Sequence, residues 1–322
     1  MQCLALVGLT LALTAIAAVP QGRAQDYPTR PIHLIIGFPP GSAADITARV
    51  VGDSMGRTLG QQLVVEARPG AGSSLAAEAV ARAPADGYTL FIGTSSNVTN
   101  SAIQSNLRFD FVKDFAPVTP LTGLPLILAV HPSLGVSSAK ELIALAKSKP
   151  GELTYASVGP GTVPHLSTEL IALRTGVKLV HVPYQGSPPA VTDLLGGRVS
   201  LMLGVASTIM PHVKAGRLKA LASGSAQRPH IAPDIPTLTE DLLPGFETSV
   251  WFGLMAPAGT PQVVVDKLAA AANAALRSEE VASKLRASGF EPLGGSPEEF
   301  GKFIKRETVK WSDGAKAAGL NR

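Results

Sequence analysis

Residues 32–59, IHLIIGFPPGSAADITARVVGDSMGRTL, decide the architecture. The first seven carry Ile32, Leu34, Ile35, Ile36 and Phe38 without polar alternation, which reads as a strand buried on both faces. Pro39-Pro40-Gly41-Ser42 breaks that strand, and Ile46, Val50, Val51, Met55 and Leu59 then recur at helical spacing. The same order of strand, glycine-bearing turn and helix repeats along the chain. Residues 62–66 are a strand before Arg68-Pro69-Gly70-Ala71-Gly72 and an alanine-rich helix to Arg82; residues 88–93 are a strand before the polar stretch Thr94-Ser95-Ser96-Asn97. Further strands fall at 124–130, 153–156, 179–182, 199–203 and 218–222, and Ser138-x-x-Glu141 opens the helix 139–147. Pro164 lies in the first turn of one helix, Pro188 starts another, and Gly196-Gly197 stops it. From Thr260 the chain turns helical, with Thr260-Pro261 as cap and first residue. Ser296-Pro297-Glu298-Glu299 is a capping box ahead of Phe300, Phe303, Ile304 and Trp311 on one face. Alternating strands and helices predict an α/β protein with mainly parallel sheets. Two lobes are expected, 25–123 with 249–322 as the first and 124–248 inserted as the second.

Composition excludes several classes. Only 16% of the 322 residues are charged, against roughly 25% in ordinary domains. The net charge of +4 is spread without a run of four Lys or Arg, and aromatics are 5%. Neither a phosphate-tracking surface nor a base-stacking groove is indicated, so no nucleic-acid partner is expected.

Residues 3–19 are apolar apart from Gly8, Thr10 and Thr14, and small residues around Gly22-Arg23-Ala24 follow. This resembles an export signal cleaved near Ala24, although Met1-Gln2 carries no basic residue. Cleavage would remove Cys3, the lone cysteine, leaving no disulfide, thiolate metal site or cysteine nucleophile. A soluble, exported, periplasmic protein is expected, and a monomer.

In parallel α/β sheets ligands sit beyond the carboxyl ends of strands, where helix N-termini present unpaired N–H groups. Four loops qualify: 39–45, 94–97, 157–162 and 183–187. All are rich in Gly, Ser, Thr, Asn and Pro, and none contains Lys or Arg. Such loops would hold an anion through backbone amides, hydroxyls and water. Within them Asp45 either caps its own helix after Ser42 or touches the ligand, and His165 is either a ligand contact or a structural hydrogen-bonder. Gly70-x-Gly72-x-x-Leu75 lacks the third glycine of a dinucleotide fingerprint. The six histidines show no metal-ligand spacing, and no G-x-S-x-G, Walker A or H-E-x-x-H motif occurs. No cofactor or metal is implied. An exported hydrolase using Ser95 or Ser157 would require a histidine within hydrogen-bond reach and an oxyanion hole.

A series of segments in chain order resembles the Bug family, the periplasmic receptors of tripartite tricarboxylate transporters. They are Tyr27-Pro28-x-Arg30-Pro31-Ile32 into Phe38-Pro39-Pro40-Gly41-Ser42-Ala43-Ala44-Asp45; Arg68 to Gly72; Ala83 to Leu90; Tyr155-Ala156-Ser157 with Gly159-x-Gly161-Thr162 and His165-Leu166; His181-Val182-Pro183-Tyr184-x-Gly186; Asp193 to Val199; and Trp251-Phe252-Gly253 with Ala256 to Pro261. The resemblance implies a type II periplasmic-binding-protein fold whose lobes close on a small carboxylate for delivery to membrane permease subunits. It also implies that Phe38, Pro40, Gly41, Ser42, Ala43 and Asp45, and opposite them Ser157, Gly159, Gly161, Thr162 and His165, hold carboxylate groups, partly through water. Ser95, Ser96 and Asn97, Tyr184 and Gly186, and Ala206 would line the cleft. A receptor feeding a sensor kinase instead of a permease would share this site. The chain departs from the family pattern at Ser42, at Gly72-Ser73-Ser74-Leu75 and at Leu203-Gly204-Val205-Ala206, where polar residues are usual. The apolar third stretch favours an aromatic or partly apolar carboxylate.

Overall fold

The computed structural model describes residues 27–104, 106–317 and Gly319. The export segment expected over 1–24 lies outside them. Strand β1 (Ile32–Ile36) buries Ile32, Leu34, Ile35 and Ile36, covering both faces as its apolar run requires. Helix α1 (Ala43–Leu59) begins where the Ser42 hydroxyl accepts the Asp45 N–H at 3.3 Å, and it ends at Gly60 in the left-handed region. Then come β2 (Leu63–Ala67), α2 (Ser74–Ala81), β3 (Thr89–Thr94) and α3 (Ser95–Ile103). β1 lies between β2 and β3 and is parallel to both.

The long β4 (Phe115–Val130) carries the chain into a second run. This consists of α4 (Ala139–Ser148), β5 (Thr154–Ser157), α5 (Val163–Thr175), β6 (Val180–Pro183), α6 (Ser187–Leu195), β7 (Leu201–Val205), α7 (Ala206–Lys214), β8 (Lys219–Ser223) and the short α8 (Leu238–Asp241). β9 (Ser249–Pro257) returns to the first run, followed by α9 (Gln262–Arg277), α10 (Glu279–Ala287), β10 (Glu291–Pro292) and α11 (Pro297–Ala317). The strand order is β2-β1-β3-β9-β4-β7-β5-β6, with β8 and β10 also paired to β4.

The expectation of mainly parallel pairing holds only at the flanks. In the centre β9 is antiparallel to β3 and β4, and β4 is antiparallel to β7 and β8. β4 also begins nine residues before the predicted 124–130. Pro117, Pro120 and Pro125 punctuate its sequence and disguise it, because proline cannot donate to a ladder. The chain absorbs the first two by slipping register, between Pro117 and Thr119 and between Pro120 and Thr122. β4 pairs with β9 as far as Pro125, then with β7 from Leu126. That handover is where the two runs meet.

Gly253, at the middle of β9, is required by close approach. A Cβ there would lie 2.1 Å from Phe300 Cζ, so the ring of α11 packs directly on the strand backbone. Phe300, Ile304 and Trp311 are buried and Phe303 is partly buried, as their helical spacing predicts. Thr260 does not cap α9. Its hydroxyl turns back to donate to the Pro257 carbonyl at 2.8 Å, and Pro261 takes the cap position.

Candidate functional site

Parallel neighbours bring their following loops side by side. β1 and β3 place residues 37–45 next to Thr94, while β5, between β6 and β7, places 157–162 beside 183–187 and 204–207. One of these is not a loop. Residues 95–97 are the first turn of α3, capped by Thr94: Ser96 N–H donates to Thr94 Oγ1 at 3.1 Å, and Thr94 N–H donates to Asn97 Oδ1 at 3.0 Å. Ser95 and Asn97 are fully buried and Ser96 nearly so.

The helix starts differ in whether their amides are already satisfied. α1 and α3 are capped by side chains, whereas α5, α6 and α7 have no side-chain cap. At α5, Thr162 stands at the cap position but its hydroxyl donates backwards to the Gly159 carbonyl at 2.7 Å. The first-turn N–H groups of α5 therefore retain their capacity for an anion. Thr162 and His165 are buried, and no cationic side chain belongs to this turn.

Loop 157–162 faces α3 directly. Gly161 (φ 77) would, with a Cβ, stand 2.5 Å from Asn100 Oδ1 and 2.6 Å from Ile103 Cδ1. Asn100 Nδ2 donates to the Ala71 and Gly72 carbonyls at 3.2 and 3.1 Å, fixing turn 71–74. That turn reaches Gly37 at the end of β1, where a Cβ would lie 1.9 Å from Ser73 Oγ. Gly37 thus meets the turn through Ser73, Asn100 holds the same turn through Ala71, Gly72 and Ser74, and Gly161 meets Asn100, which links the ends of the two carboxylate loops expected from the sequence.

Within loop 38–45, Asp45 is committed to its own helix. Oδ2 accepts the Gly41 N–H and Oδ1 accepts Arg49 Nε, both at 2.9 Å. The hydrogen bonding matches the capping alternative. Phe38 is half-buried against the core, Pro40 and Gly41 are exposed, and Ser42 and Ala43 are partly exposed. Across the seam, the Tyr184 hydroxyl donates to Asp193 Oδ2 at 2.7 Å; burial and that carboxylate push its pKa up to about 12. Gly186 caps α6 at φ 116, and Ala206 starts α7 fully buried beside Ile209 in an apolar cluster. Surface depressions of about 310 and 360 Å³ lie elsewhere, around Gly56–Leu63 and around Arg277–Gly295, and involve none of these loops.

Beneath loop 157–162 lies a stack of imidazoles. The rings of His165 and His181 are 4.2 Å apart at 24°, and Tyr155 stacks on His181 at 4.8 Å. His165 Nδ1 accepts the Gly161 N–H at 3.1 Å, while His181 Nε2 and Ser157 Oγ share a 2.6 Å hydrogen bond. The two rings therefore hold the loop at both ends. Burial pushes the pKa of His165 down; burial, then the neighbouring His165, lowers that of His181 from 6.5 to about 4. The sign follows from linkage: the unfolded chain binds these protons more readily, so the stabilisation is full above about pH 6.5 and is lost as pH falls towards 4. Thermal midpoints measured between pH 7 and 4 should fall more steeply for the native chain than for His181→Gln; equal slopes would remove His181 from the acid response.

Two α/β runs joined by crossing strands, with the uncapped start of α5 set against α3, have the architecture of a periplasmic-type solute-binding protein. The chain belongs to the tripartite tricarboxylate transporter receptor family: the description "Tripartite tricarboxylate transporter family receptor" matches residues 47–320. It is 37% identical to protein BugT of Bordetella pertussis over 320 residues, 99% of this chain and 98% of that one. The structure of R. palustris Rpa4515 with adipate is similar, at TM-score 0.84 and 38% identity, covering 91% of this chain and 99% of that one. MatC (Rpa3494) from Rhodopseudomonas palustris with bound malate has TM-score 0.81 and 32% identity, covering 89% and 99%. The family consists of periplasmic solute receptors and not of enzymes. The Ser157–His181 pair, which meets the first geometric condition for a hydrolase, is accordingly part of the loop's support.

Sequence reasoning passed over turn 71–74 and Asn100. The turn stands in the sequence as an incomplete nucleotide fingerprint and as a departure from the family pattern, neither of which marks it as part of the site. Reading 94–103 as a helix would have set Asn100 three residues from Asn97, on the same face.

Proposed function

We propose that this chain is an exported receptor that binds a small organic carboxylate between two lobes, residues 25–123 with 249–322 and residues 124–248, and hands it to membrane permease subunits. Removal of the segment near Ala24 would release it to the periplasm. The observation carrying the reading is the buried, uncapped start of α5, seated against α3 without a cationic side chain. An anion held there is bound by main-chain dipoles and water, which keeps binding reversible. The solved relatives with adipate and malate support a carboxylate as the ligand class. The apolar end of β7 at Leu203–Val205 favours a ligand with an apolar portion beside its carboxylate.

Thermal denaturation against a panel of aliphatic and aromatic mono- and dicarboxylates tests this. An acid present at 100 times its Kd should add about 2.7 kcal/mol. A panel in which no acid raises the midpoint would overturn the carboxylate reading.

Closure should also register at Trp251. It is buried in β9 opposite Gly123, just before β4 changes partners, with its ring edge-on to Phe300 and Phe303. With Trp311→Phe removing the other indole, saturating ligand should change the Trp251 emission. An unchanged spectrum would place Trp251 outside the moving region.

A further inference from the structure

The protons of the imidazole stack under loop 157–162 are placed by what each ring nitrogen faces. The Gly161 N–H can only donate, so His165 Nδ1 is the bare nitrogen and the ring's one hydrogen sits on Nε2. A second proton has a single place to go, Nδ1, where it would set one donor against another across 3.1 Å. Once that ring is charged, His165 and the turn at Gly161 cannot both keep their places. His181 differs. Its Nε2 faces the Ser157 hydroxyl, which accepts as readily as it donates, so that contact survives protonation.

The surroundings offer an imidazolium at His165 little compensation. Among the described residues, neither ring is hydrogen-bonded to a carboxylate. The nearest ring is His181, 4.2 Å away, which disfavours a second charge. Glu169, one turn along α5, accepts the hydroxyl of Tyr155, whose ring stacks on His181. Helix α3 and strand β7, both packed on α5, carry no titratable side chain. Segment 244–248 reaches α5 through Thr248 on Ser167 and brings Glu247, which is exposed. Helix α11 meets Leu170 at Gly314, next to the exposed Asp313. On the β6 side, Asp193 is engaged by Tyr184 and Arg198. Burial holds the pKa of His165 below its ordinary 6.5.

We propose that His165 is a positioning residue whose protonation releases loop 157–162, so that the receptor gives up its carboxylate in acid. This rests on the carboxylate reading above and adds a regulation to it. The sign follows from linkage. The held loop disfavours the charged ring, so a solute that needs the held loop expels the proton, and the proton expels the solute. Affinity is full above about pH 6.5 and falls below it.

The first test uses the chain without any acid bound. NMR titration of ring and backbone nitrogens should find His165 in the Nε2–H form at neutral pH, with the Gly161 amide resonance moving at the same midpoint as the ring. The opposite tautomer, or a Gly161 amide that stays still while the ring titrates, would overturn the inference and leave carboxylate binding untouched. The second test is calorimetric titration with adipate and with malate at pH 7.5 and pH 5. Between the two, native affinity should fall about tenfold more than that of His165→Asn, whose Oδ1 keeps an acceptor for the Gly161 N–H but takes up no proton. Protonation of the acids themselves is common to both chains and cancels. His165→Leu, which removes the acceptor, should bind more weakly at pH 7.5 than His165→Asn. Equal pH responses in the native chain and His165→Asn, or equal affinities of the two variants, would overturn the inference alone. Binding of neither acid by the native chain at pH 7.5 would overturn it together with the carboxylate reading.

Discussion

Gly161→Ala should lower affinity for the acid that gives the largest thermal shift by about tenfold or more, close to 1.4 kcal/mol. Two effects add. At φ 77 an alanine is strained by roughly 1–2 kcal/mol, and its Cβ would enter the space of Asn100 Oδ1 and Ile103 Cδ1. Ile103 can give way at its tip. Asn100 cannot, because its amide nitrogen is tied to the carbonyls of Ala71 and Gly72 and to Ser74 Oγ. The easier response is for loop 157–162 to stand off α3, which opens the proposed site. Gly159 provides the control. It also has positive φ, 133, but a Cβ there meets nothing closer than 3.8 Å, so Gly159→Ala carries strain without the clash. Calorimetry on both variants separates the causes; equal losses would show that contact with α3 contributes nothing.

Trp311→Ala should produce the largest loss of stability, about 3–5 kcal/mol, by leaving an indole-sized cavity. Trp311 is 1% exposed, and its Nε1–H donates to Glu307 Oε2 at 2.9 Å. Its helix α11 packs along α3, the helix carrying Ser95, Asn97 and Asn100, and sends Phe300 onto the backbone of β9. Chemical denaturation would measure the change, and a loss under about 1 kcal/mol would mean that the surrounding side chains collapse into the space. Ligand affinity well below the unfolding midpoint should change less than in Gly161→Ala, since α11 supports the site from behind.

The two substitutions touch parts of the molecule that were unequally legible in the sequence. Trp311 was readable because Phe300, Phe303, Ile304 and Trp311 share a helical period after an evident capping box, and local periodicity is enough to assign a buried face. Loop 157–162 was readable as a strand-to-helix turn rich in glycine. Its partner across the seam was not, since the contact of Gly161 with Asn100 joins residues far apart in the chain and no local pattern encodes it.

The charge-poor, glycine-rich turns are properties of the sequence alone. They settled the α/β class, the position of α1, α5 and α11, and the absence of a cationic side chain from the candidate loops. Three things required the folded chain. The prolines of β4 masked a crossing strand whose pairing runs to β9 and β10 on one side of the handover and to β7 and β8 on the other. The amides of α5 proved uncapped because Thr162 bonds backwards to Gly159, one of two choices open to any threonine at a cap. The Ser157 hydroxyl reaches His181 only because β6 pairs with β5. Periodicity reports which face is covered; whether a buried polar atom has found its partner depends on distances that only packing sets.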